Sequence, residues 1–367
     1  MEGQVPYWGA GGILDHVNKS IFDEPLVLLG EDGAPFFISD KDVAYLIDGP
    51  AWVNNHIHVL RPRNVDPSFL RHALNCADYG RYITGSTRDK LTQDDMLAIV
   101  ISFPPLDEQR RIAAFLDAET ARIDGLAAAR QRMRDLLELK LERMVEQILG
   151  LDSSPRMVPL KYVVQSVSVG IVITPASWYV DDGGIPALRG LNIQPGCIDS
   201  SDMVQISQVG HVENMKSRLS SGDVVVVRTG QAGAAAIVPE ELDGCNCIDL
   251  LIIRPGALTS SSFLAYYVNS YYVQDRISEH SVGSIQSHFN VGSMKKLDFP
   301  VLERVEQERR VAALDEVVGD LDLLDSQLES QVAILAERRQ ALITAAVTGQ
   351  IDVTTARGLS SSGGVAV

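Results

Sequence analysis

The chain has 367 residues, of which 46% are hydrophobic, and its formal net charge is −16 at pH 7. This length suits two domains with connecting segments, and the hydrophobic content is that of a folded globular protein. The charge excludes simple electrostatic binding of nucleic acid, because such binders carry an excess of basic residues. No apolar stretch is long enough to cross a bilayer, and no secretory signal opens the sequence. We therefore expect a cytoplasmic protein with no membrane segment.

Neither a metal site nor catalytic machinery can be read from the sequence. The four cysteines are few and irregularly spaced, and Cys245 and Cys247 are one residue closer together than the cysteine pair of a zinc knuckle. A phosphate-binding loop, a nucleophile elbow and a zinc-protease motif are all missing. We predict a chain without catalytic residues and without a bound metal.

The most informative feature of the sequence is an internal repeat. Residues 103–109 (FPPLDEQ) precede a helical stretch, and residues 299–307 (FPVLERVEQ) precede another one. Further matches follow in the same order upstream, such as Ser68 and Asn75 with Ser262 and Asn269. The chain is therefore two copies of one unit, each a globular part followed by a helix.

The two helical stretches are predicted to be long and to pair. In the second stretch five leucines stand one heptad apart, with charged residues on the other faces, which is typical of a coiled coil. We expect the helices to pair with each other, antiparallel, as a spacer, although each could instead pack on its own globular part. The residues predicted to mediate this pairing are Leu116, Ile123, Met133, Leu137, Leu314, Leu321, Leu328, Leu335 and Leu342.

The globular parts contain short β-branched runs bounded by glycine and proline, at residues 26–29, 56–60, 223–228 and 247–254. A helix is predicted after each pair of runs, at residues 67–77 and 261–278. We predict an α+β fold in which two strand-rich α/β domains are separated by the two helices, in a pseudo-twofold internal repeat. The predicted segments are a first domain (1–103), a central helix (104–150), a second domain (156–301), a C-terminal helix (302–350) and a disordered tail (351–367).

Polar clusters in predicted loops are the candidates for contact with DNA, because such side chains read base edges in the grooves. Each one, taken alone, could equally be an ordinary loop residue. The candidate DNA-binding residues are Tyr7, Trp8, Asn54, Asn55, Arg81, Ser86, Thr87, Arg88, Lys90, Arg189, Asn192, Arg228, Thr229, Gln231, Ser284 and Gln286.

These features together resemble one known family, the specificity subunits of type I restriction-modification systems. The resemblance extends over nearly the whole chain and rests on the doubled motif before each helix and on short matches in the globular parts. The matching segments are residues 5–14, 30–34, 52–56, 103–109, 185–190, 222–230 and 300–307.

The resemblance implies a non-catalytic protein in which each globular part is a target recognition domain for one half of a split site in double-stranded DNA. It also implies that the helices set the gap between the half-sites and dock modification (methyltransferase) subunits, two of them, with restriction subunits completing the nuclease. S-adenosylmethionine and the formation of N6-methyladenine would belong to the modification partner, so no cofactor is expected on this chain. Such partners would also supply the positive charge that the chain lacks.

One departure from this pattern concerns the first domain. The second domain has a long stretch before Ile185, whereas the first has almost nothing before Val5. We therefore expect the first domain to lack an N-terminal strand and loop: either the start is misassigned, or the domain is truncated, or another chain supplies the piece. The alternative reading of the whole chain is a coiled-coil scaffold whose globular parts bind protein partners. A single-chain restriction-modification enzyme would need a methyltransferase or nuclease region that the sequence does not contain.

Overall fold

A computed structural model describes residues 3–38, 41–83, 89–229, 232–279 and 289–356. The chain forms two compact units. Unit 1 comprises Met1–Arg134 and Ser326–Val367, and unit 2 comprises Asp135–Asp325. Each unit thus contains a globular part together with portions of both long helices.

Unit 1 is built on two small sheets. Its strands are β1 (Val5–Gly9), β2 (Gly12–Val17), β3 (Phe22–Asp23), β4 (Leu26–Gly30), β5 (Ala44–Ile47), β6 (Pro50–Val53) and β7 (Ile57–Leu60). They pair in the orders β2-β1-β6-β3 and β5-β4-β7. The helices of its globular part are α1 (Pro67–Asn75) and α2 (Gln93–Ala98). The apolar strand β4 is fully buried at the centre of its sheet, as a β-branched and leucine-rich run favours.

Unit 2 repeats this plan with additional strands. Its strands are β8 (Met157–Pro159), β9 (Val164–Val169), β10 (Tyr179–Val180), β11 (Ile185–Leu188), β12 (Ile193–Gln194), β13 (Cys197–Ile198), β14 (Val204–Ile206), β15 (Val224–Val227), β16 (Ala235–Ile237), β17 (Asn246–Cys247), β18 (Leu250–Pro255) and β19 (Asp298–Pro300). Its short helices are α4 (Gln208–Glu213), α5 (Ser261–Asn269), α6 (Tyr271–Glu279) and α7 (Val291–Lys296). The sheets have the orders β10-β14-β11-β17 and β16-β15-β18-β9, and β12-β13 and β19-β8 form two-stranded pairs.

Two predicted elements are interrupted in the structure. The predicted strand 247–254 is divided between β17 and β18, because Asp249 adopts a left-handed backbone conformation (φ 53°) that does not continue a strand. The predicted helix 261–278 is divided between α5 and α6, because Ser270 is extended (ψ 148°) and ends the first of them.

Two helices of 44 residues, α3 (Leu106–Leu149) and α8 (Arg304–Val347), confirm the predicted pair of long helices, and a short α9 (Val353–Ala356) follows them. Each long helix extends for about 66 Å at 1.5 Å per residue. In unit 1 the two run antiparallel: Arg339 contacts Asp124 at 3.0 Å and Arg134 approaches Glu329 at 3.9 Å. In unit 2 the C-terminal end of α3 and the N-terminal part of α8 share one hydrophobic cluster, through Leu149 and Leu314.

The residues predicted to pair the helices differ in burial. Leu116, Ile123, Leu314 and Leu328 are buried. Another four, Leu137, Leu321, Leu335 and Leu342, are half-buried. Met133 is 44% exposed. Their role in pairing stays a prediction, and two of the buried members, Leu116 and Leu314, belong to hydrophobic clusters shared with a globular part.

A half-buried asparagine makes the same contacts in both units. Asn75, the last residue of α1, accepts hydrogen bonds from the backbone N–H groups of Val43 and Ala44 and donates to the Ala44 carbonyl. Asn269, the last residue of α5, accepts from the N–H of Ala235 and donates to its carbonyl. These bonds fasten the helix to the neighbouring edge strand, β5 or β16, so the sequence repeat is also a structural repeat.

The glutamine of the doubled motif has one role in both units. Gln109 accepts a hydrogen bond from the Asp66 N–H at 2.9 Å and donates to the Pro104 carbonyl at 2.8 Å. Gln307 accepts from the Ser260 N–H at 2.9 Å. Asp66 and Ser260 are the N-cap residues of α1 and α5. Each glutamine is buried and therefore ties the start of a long helix to the start of a short one.

One difference between the units concerns the number of strands and the segment that precedes the long helix. Among the described residues, the sheet β5-β4-β7 has three strands, whereas its counterpart in unit 2 has β9 as a fourth strand beside β18. Unit 2 also pairs β19 with β8 and buries Phe299 there. In the matching segment of unit 1, Val100 and Phe103 are 84% and 63% exposed. The first unit thus leaves uncovered an apolar segment whose counterpart is paired in the second.

A buried histidine makes unit 1 sensitive to acid. His72 on α1 lies 2.9 Å from the Asp117 carboxylate, which also accepts hydrogen bonds from Ser68 and Arg71. Burial lowers the pKa of His72 below its ordinary value of 6.5, and the neighbouring Arg71 lowers it further, although Asp117 acts in the opposite direction. The folded state therefore binds fewer protons than the unfolded state just below pH 6.5, so stability rises with pH there.

We expect the urea concentration at the unfolding midpoint of unit 1 to decrease when the pH is lowered from 7.5 to 5.5. The variant His72→Gln should lose this pH dependence, because glutamine does not titrate. Unit 2 provides the internal control, since Tyr266 occupies the matching position and bonds Asp315. Equal pH dependence in the wild type and the variant would exclude His72 as the cause.

Candidate nucleic-acid interface

Ten of the sixteen candidate DNA-binding residues can be located in the structure. The other six, Ser86, Thr87, Arg88, Gln231, Ser284 and Gln286, lie outside the described residues. The located residues divide between the two units and are considered for each unit separately.

In unit 2 two candidates, Arg189 and Thr229, line one cleft. The cleft has a volume of about 550 Å³ and opens between the turn after β11 and the end of β15. Its walls include Arg189, Leu191, Thr229 and Asp249. Leu191 is 82% exposed at its edge, so the cleft offers an apolar surface beside charged groups.

An ion pair stands at the edge of this cleft. Arg228, the residue after β15, donates through Nη1 to Asp249 Oδ1 at 2.8 Å, and Thr229 Oγ1 donates to Asp249 Oδ2 at 3.1 Å. The Arg228 side chain is only 17% exposed. One carboxylate thus holds both candidates in fixed rotamers, and its own left-handed backbone is the kind of strain that concentrates at functional sites.

Arg189 and a further candidate of unit 2, Asn192, belong to one loop. Arg189 donates through Nη2 to the Asp202 carbonyl at 3.0 Å and to its carboxylate at 3.2 Å. Asn192 is buried, accepts a hydrogen bond from the Arg189 N–H and donates to the carbonyls of Asp199 and Asp202. Asn192 therefore shapes the loop that carries Arg189, and its side chain lies inside that loop.

In unit 1 the located candidates do not form a comparable cluster. Tyr7 and Trp8 lie on β1, opposite Trp52 and Val53 of β6. The Trp8 ring packs 5.5 Å from that of Tyr45, which gives it a place in the core.

The polar candidates of unit 1 lie on loops. Asn54 caps its own loop by accepting from the His56 N–H, and Asn55 beside it is exposed. Arg81 is exposed and pairs with Asp78, and Lys90 approaches Glu31 at 3.2 Å. These side chains make ordinary surface contacts, which leave them accessible.

The two units have different charged or polar residues at two equivalent positions, one on each side of the central strand pair. The residue that follows the central strand is Glu31 after β4 and Arg228 after β15. The residue that precedes the neighbouring strand is His56 before β7 and Asp249 before β18. Sequence reasoning missed Asp249 and Glu31, because neither stands out in an acidic chain. Only the strand pairing within each unit shows that they lie at the ends of equivalent strands.

Two other kinds of feature, a metal site and a membrane-spanning helix, were sought among the described residues. Within the described ranges, no group of three or more His, Cys, Asp or Glu side chains is arranged to hold a metal ion. No helix in the described part of the chain combines the length and apolar character that membrane crossing requires.

Comparison with known proteins agrees with this picture. Residues 1–131 match the model of the type I restriction modification DNA specificity domain. The chain is 24% identical over 322 residues to a putative type I restriction enzyme specificity subunit of Haemophilus influenzae, covering 86% of this chain and 80% of that protein. It is 29% identical over 180 residues to the StySPI specificity subunit of Salmonella potsdam, covering 47% of this chain and 38% of that one.

A solved structure described as the basis of complex assembly and conformational transition of the type I restriction-modification system shares the fold. Its TM-score is 0.69 at 19% identity, over 89% of this chain and 82% of that chain. The matched domain, the relatives along most of the chain and the duplicated architecture lead to one conclusion. The chain is similar in sequence, along most of its length, to type I restriction enzyme specificity subunits, and its first 131 residues match a type I restriction modification DNA specificity domain.

Proposed function

We propose that this chain directs a type I restriction-modification complex to a bipartite DNA target, with each unit reading one half-site. The observation that carries the proposal is the structural repeat, in which Asn75 and Asn269, and likewise Gln109 and Gln307, perform the same task in two recognition units. Two similar units on one chain are suited to two half-sites about one helical turn apart, on the order of 34 Å.

In this proposal the chemistry resides on partner subunits. Two modification subunits would bind S-adenosylmethionine and methylate adenine at N6, and restriction subunits would complete the nuclease in a cytoplasmic complex. The chain itself would need no cofactor. The net charge of −16 supports such a division of labour, because partners that surround the DNA would have to supply most of the phosphate contacts.

The long helices offer a surface for the modification subunits. Several large apolar side chains on α3 and α8 are exposed. They are Leu126, Leu136, Leu139, Leu323 and Ile334. Exposed apolar side chains grouped along an element are typical of protein interfaces. We assign them to partner docking.

We expect the double variant Leu136→Glu, Leu139→Glu to weaken binding of the modification subunit about tenfold or more, because two charges would enter an apolar interface. The two side chains lie on one face of α3, three residues apart. Affinity can be measured by titrating the purified modification subunit onto the chain. The matched control is Leu97→Glu, which changes a 72% exposed leucine outside the long helices. Equal affinity of the double variant and the wild type would refute the assignment.

The function itself is tested by co-expressing the chain with the modification subunit of the same source and mapping methylated adenines in the host DNA. Two short specific sequences around a fixed nonspecific gap are the expected result. A complex that assembles but methylates nothing would refute the reading of DNA by these units. Failure of any complex to form would favour the alternative function, a coiled-coil scaffold.

A further inference from the structure

The two recognition units differ most sharply at one equivalent position, and this difference bears on specificity. Unit 2 places Arg228 directly after its central strand, and unit 1 places Glu31 there. A guanidinium only donates hydrogen bonds and a carboxylate only accepts them. The two units therefore present opposite hydrogen-bonding character at the same point of the same fold.

Arg228 is held ready to bind a ligand. Its guanidinium is fixed by Asp249, and Thr229 is fixed by the same carboxylate. Because the rotamer is already restricted, less side-chain entropy is lost when the arginine engages a new partner. The neighbours of Arg228 in sequence, Val227 and Thr229, line the cleft of about 550 Å³, and Arg189 lines the same cleft.

The hydrogen-bond donors of Arg228 suit one base, guanine. Arginine recognises guanine by a bidentate hydrogen bond to O6 and N7, the two acceptors in the major groove. Asp249 accepts a hydrogen bond from one guanidinium nitrogen of Arg228, Nη1, and its second oxygen accepts from Thr229. The other donors of Arg228 can therefore engage a guanine edge while Asp249 holds the side chain in place.

We propose that Arg228 reads a guanine in the half-site of unit 2, with Asp249 as its positioning residue. This inference rests on the proposed function. Glu31, at the equivalent position of unit 1, has no donor for the O6 and N7 acceptors of guanine. The two half-sites should therefore differ at this position.

The test compares methylation motifs of complexes assembled with the wild-type chain and with Arg228→Gln. Methylation rates are measured on DNA libraries in which one base pair of the target at a time is varied. For the variant, discrimination at a single guanine of one half-site should fall about 10- to 100-fold, while all other positions remain as in the wild type. The variant Arg276→Gln makes the same change at an arginine that stacks on Tyr272 and does not line the cleft, and it should leave the motif unchanged.

A second variant separates reading from folding. Asp249→Asn breaks the same ion pair but keeps Arg228, so it should retain the preference for guanine. If Asp249→Asn and Arg228→Gln lower methylation alike, or if Arg228→Gln lowers it uniformly on all sequences, the pair is structural and the inference is overturned. An unchanged motif for Arg228→Gln overturns it as well. If the wild-type complex produces no split motif, the proposed function itself is refuted. This outcome is seen with the wild type alone and is therefore distinct from a failure of the inference about Arg228.

Discussion

The variant Ile343→Asp is expected to unfold unit 1 and leave unit 2 folded. Ile343 lies near the C-terminal end of α8, is fully buried, and belongs to the cluster that joins Phe69 of α1 to Phe115 and Leu116 of α3. A carboxylate there would lose the apolar contacts and either remain charged without a partner or become protonated. The expected loss is on the order of 5 kcal/mol, which is comparable with the whole stability of a domain.

Ile334→Asp provides the control for this experiment. It introduces the same charge on the same helix, but Ile334 is 62% exposed and its replacement should cost less than about 0.5 kcal/mol. In a thermal melt, Ile343→Asp should show an early transition for unit 1 and an unchanged transition for unit 2. A single transition at the wild-type temperature would contradict the assignment of the C-terminal part of α8 to the core of unit 1.

The second large effect is expected for Gln307→Leu. Leucine has nearly the volume of glutamine but makes no hydrogen bonds. The substitution would therefore leave the buried N–H of Ser260 without its acceptor and the carbonyls of Leu258 and Leu302 without their donor. Unpaired buried groups of this kind cost about 1–3 kcal/mol each before relaxation, so we expect unit 2 to lose roughly 2–4 kcal/mol.

Urea denaturation of Gln307→Leu and Gln331→Leu would measure this effect directly. Gln331 is an exposed residue of the same helix, and its replacement should be nearly neutral. Gln109→Leu should destabilise unit 1 in the same manner, because Gln109 is equally buried and makes the matching bond to Asp66. If Gln307→Leu were as stable as Gln331→Leu, the glutamine of the doubled motif would have no anchoring role.

Several features of the fold could be predicted from the sequence because their signals are local or periodic. Heptad spacing predicted the two long helices, which the structure confirms as α3 and α8. β-Branched runs predicted strands that the structure has at β4 and β15. The repeat predicted two similar units, and the structure has the matching strands β4 and β15 and the matching helices α1 and α5.

The arrangement of the candidate site could be decided only by the tertiary structure. Arg189 and Asp249 are 60 residues apart in the chain and line the same cleft because β11, β15 and β18 belong to packed sheets with a particular register. A one-residue change of register would turn these side chains to the opposite face. Asn192 appears in sequence as one more polar loop residue, and only its three hydrogen bonds reveal a buried supporting role.

The sequence by itself thus determined the duplicated plan, the long helices and the resemblance to a known family, because periodic and repeated patterns are carried by neighbouring residues. Only the tertiary structure decided which polar residues meet. It also decided that each compact unit takes part of both helices. Contacts such as that of Arg339 with Asp42 and Asp124 join residues far apart in the chain, and no local pattern records them. They arise when long-range burial brings the segments together, and the energy of such pairs depends on that shared burial.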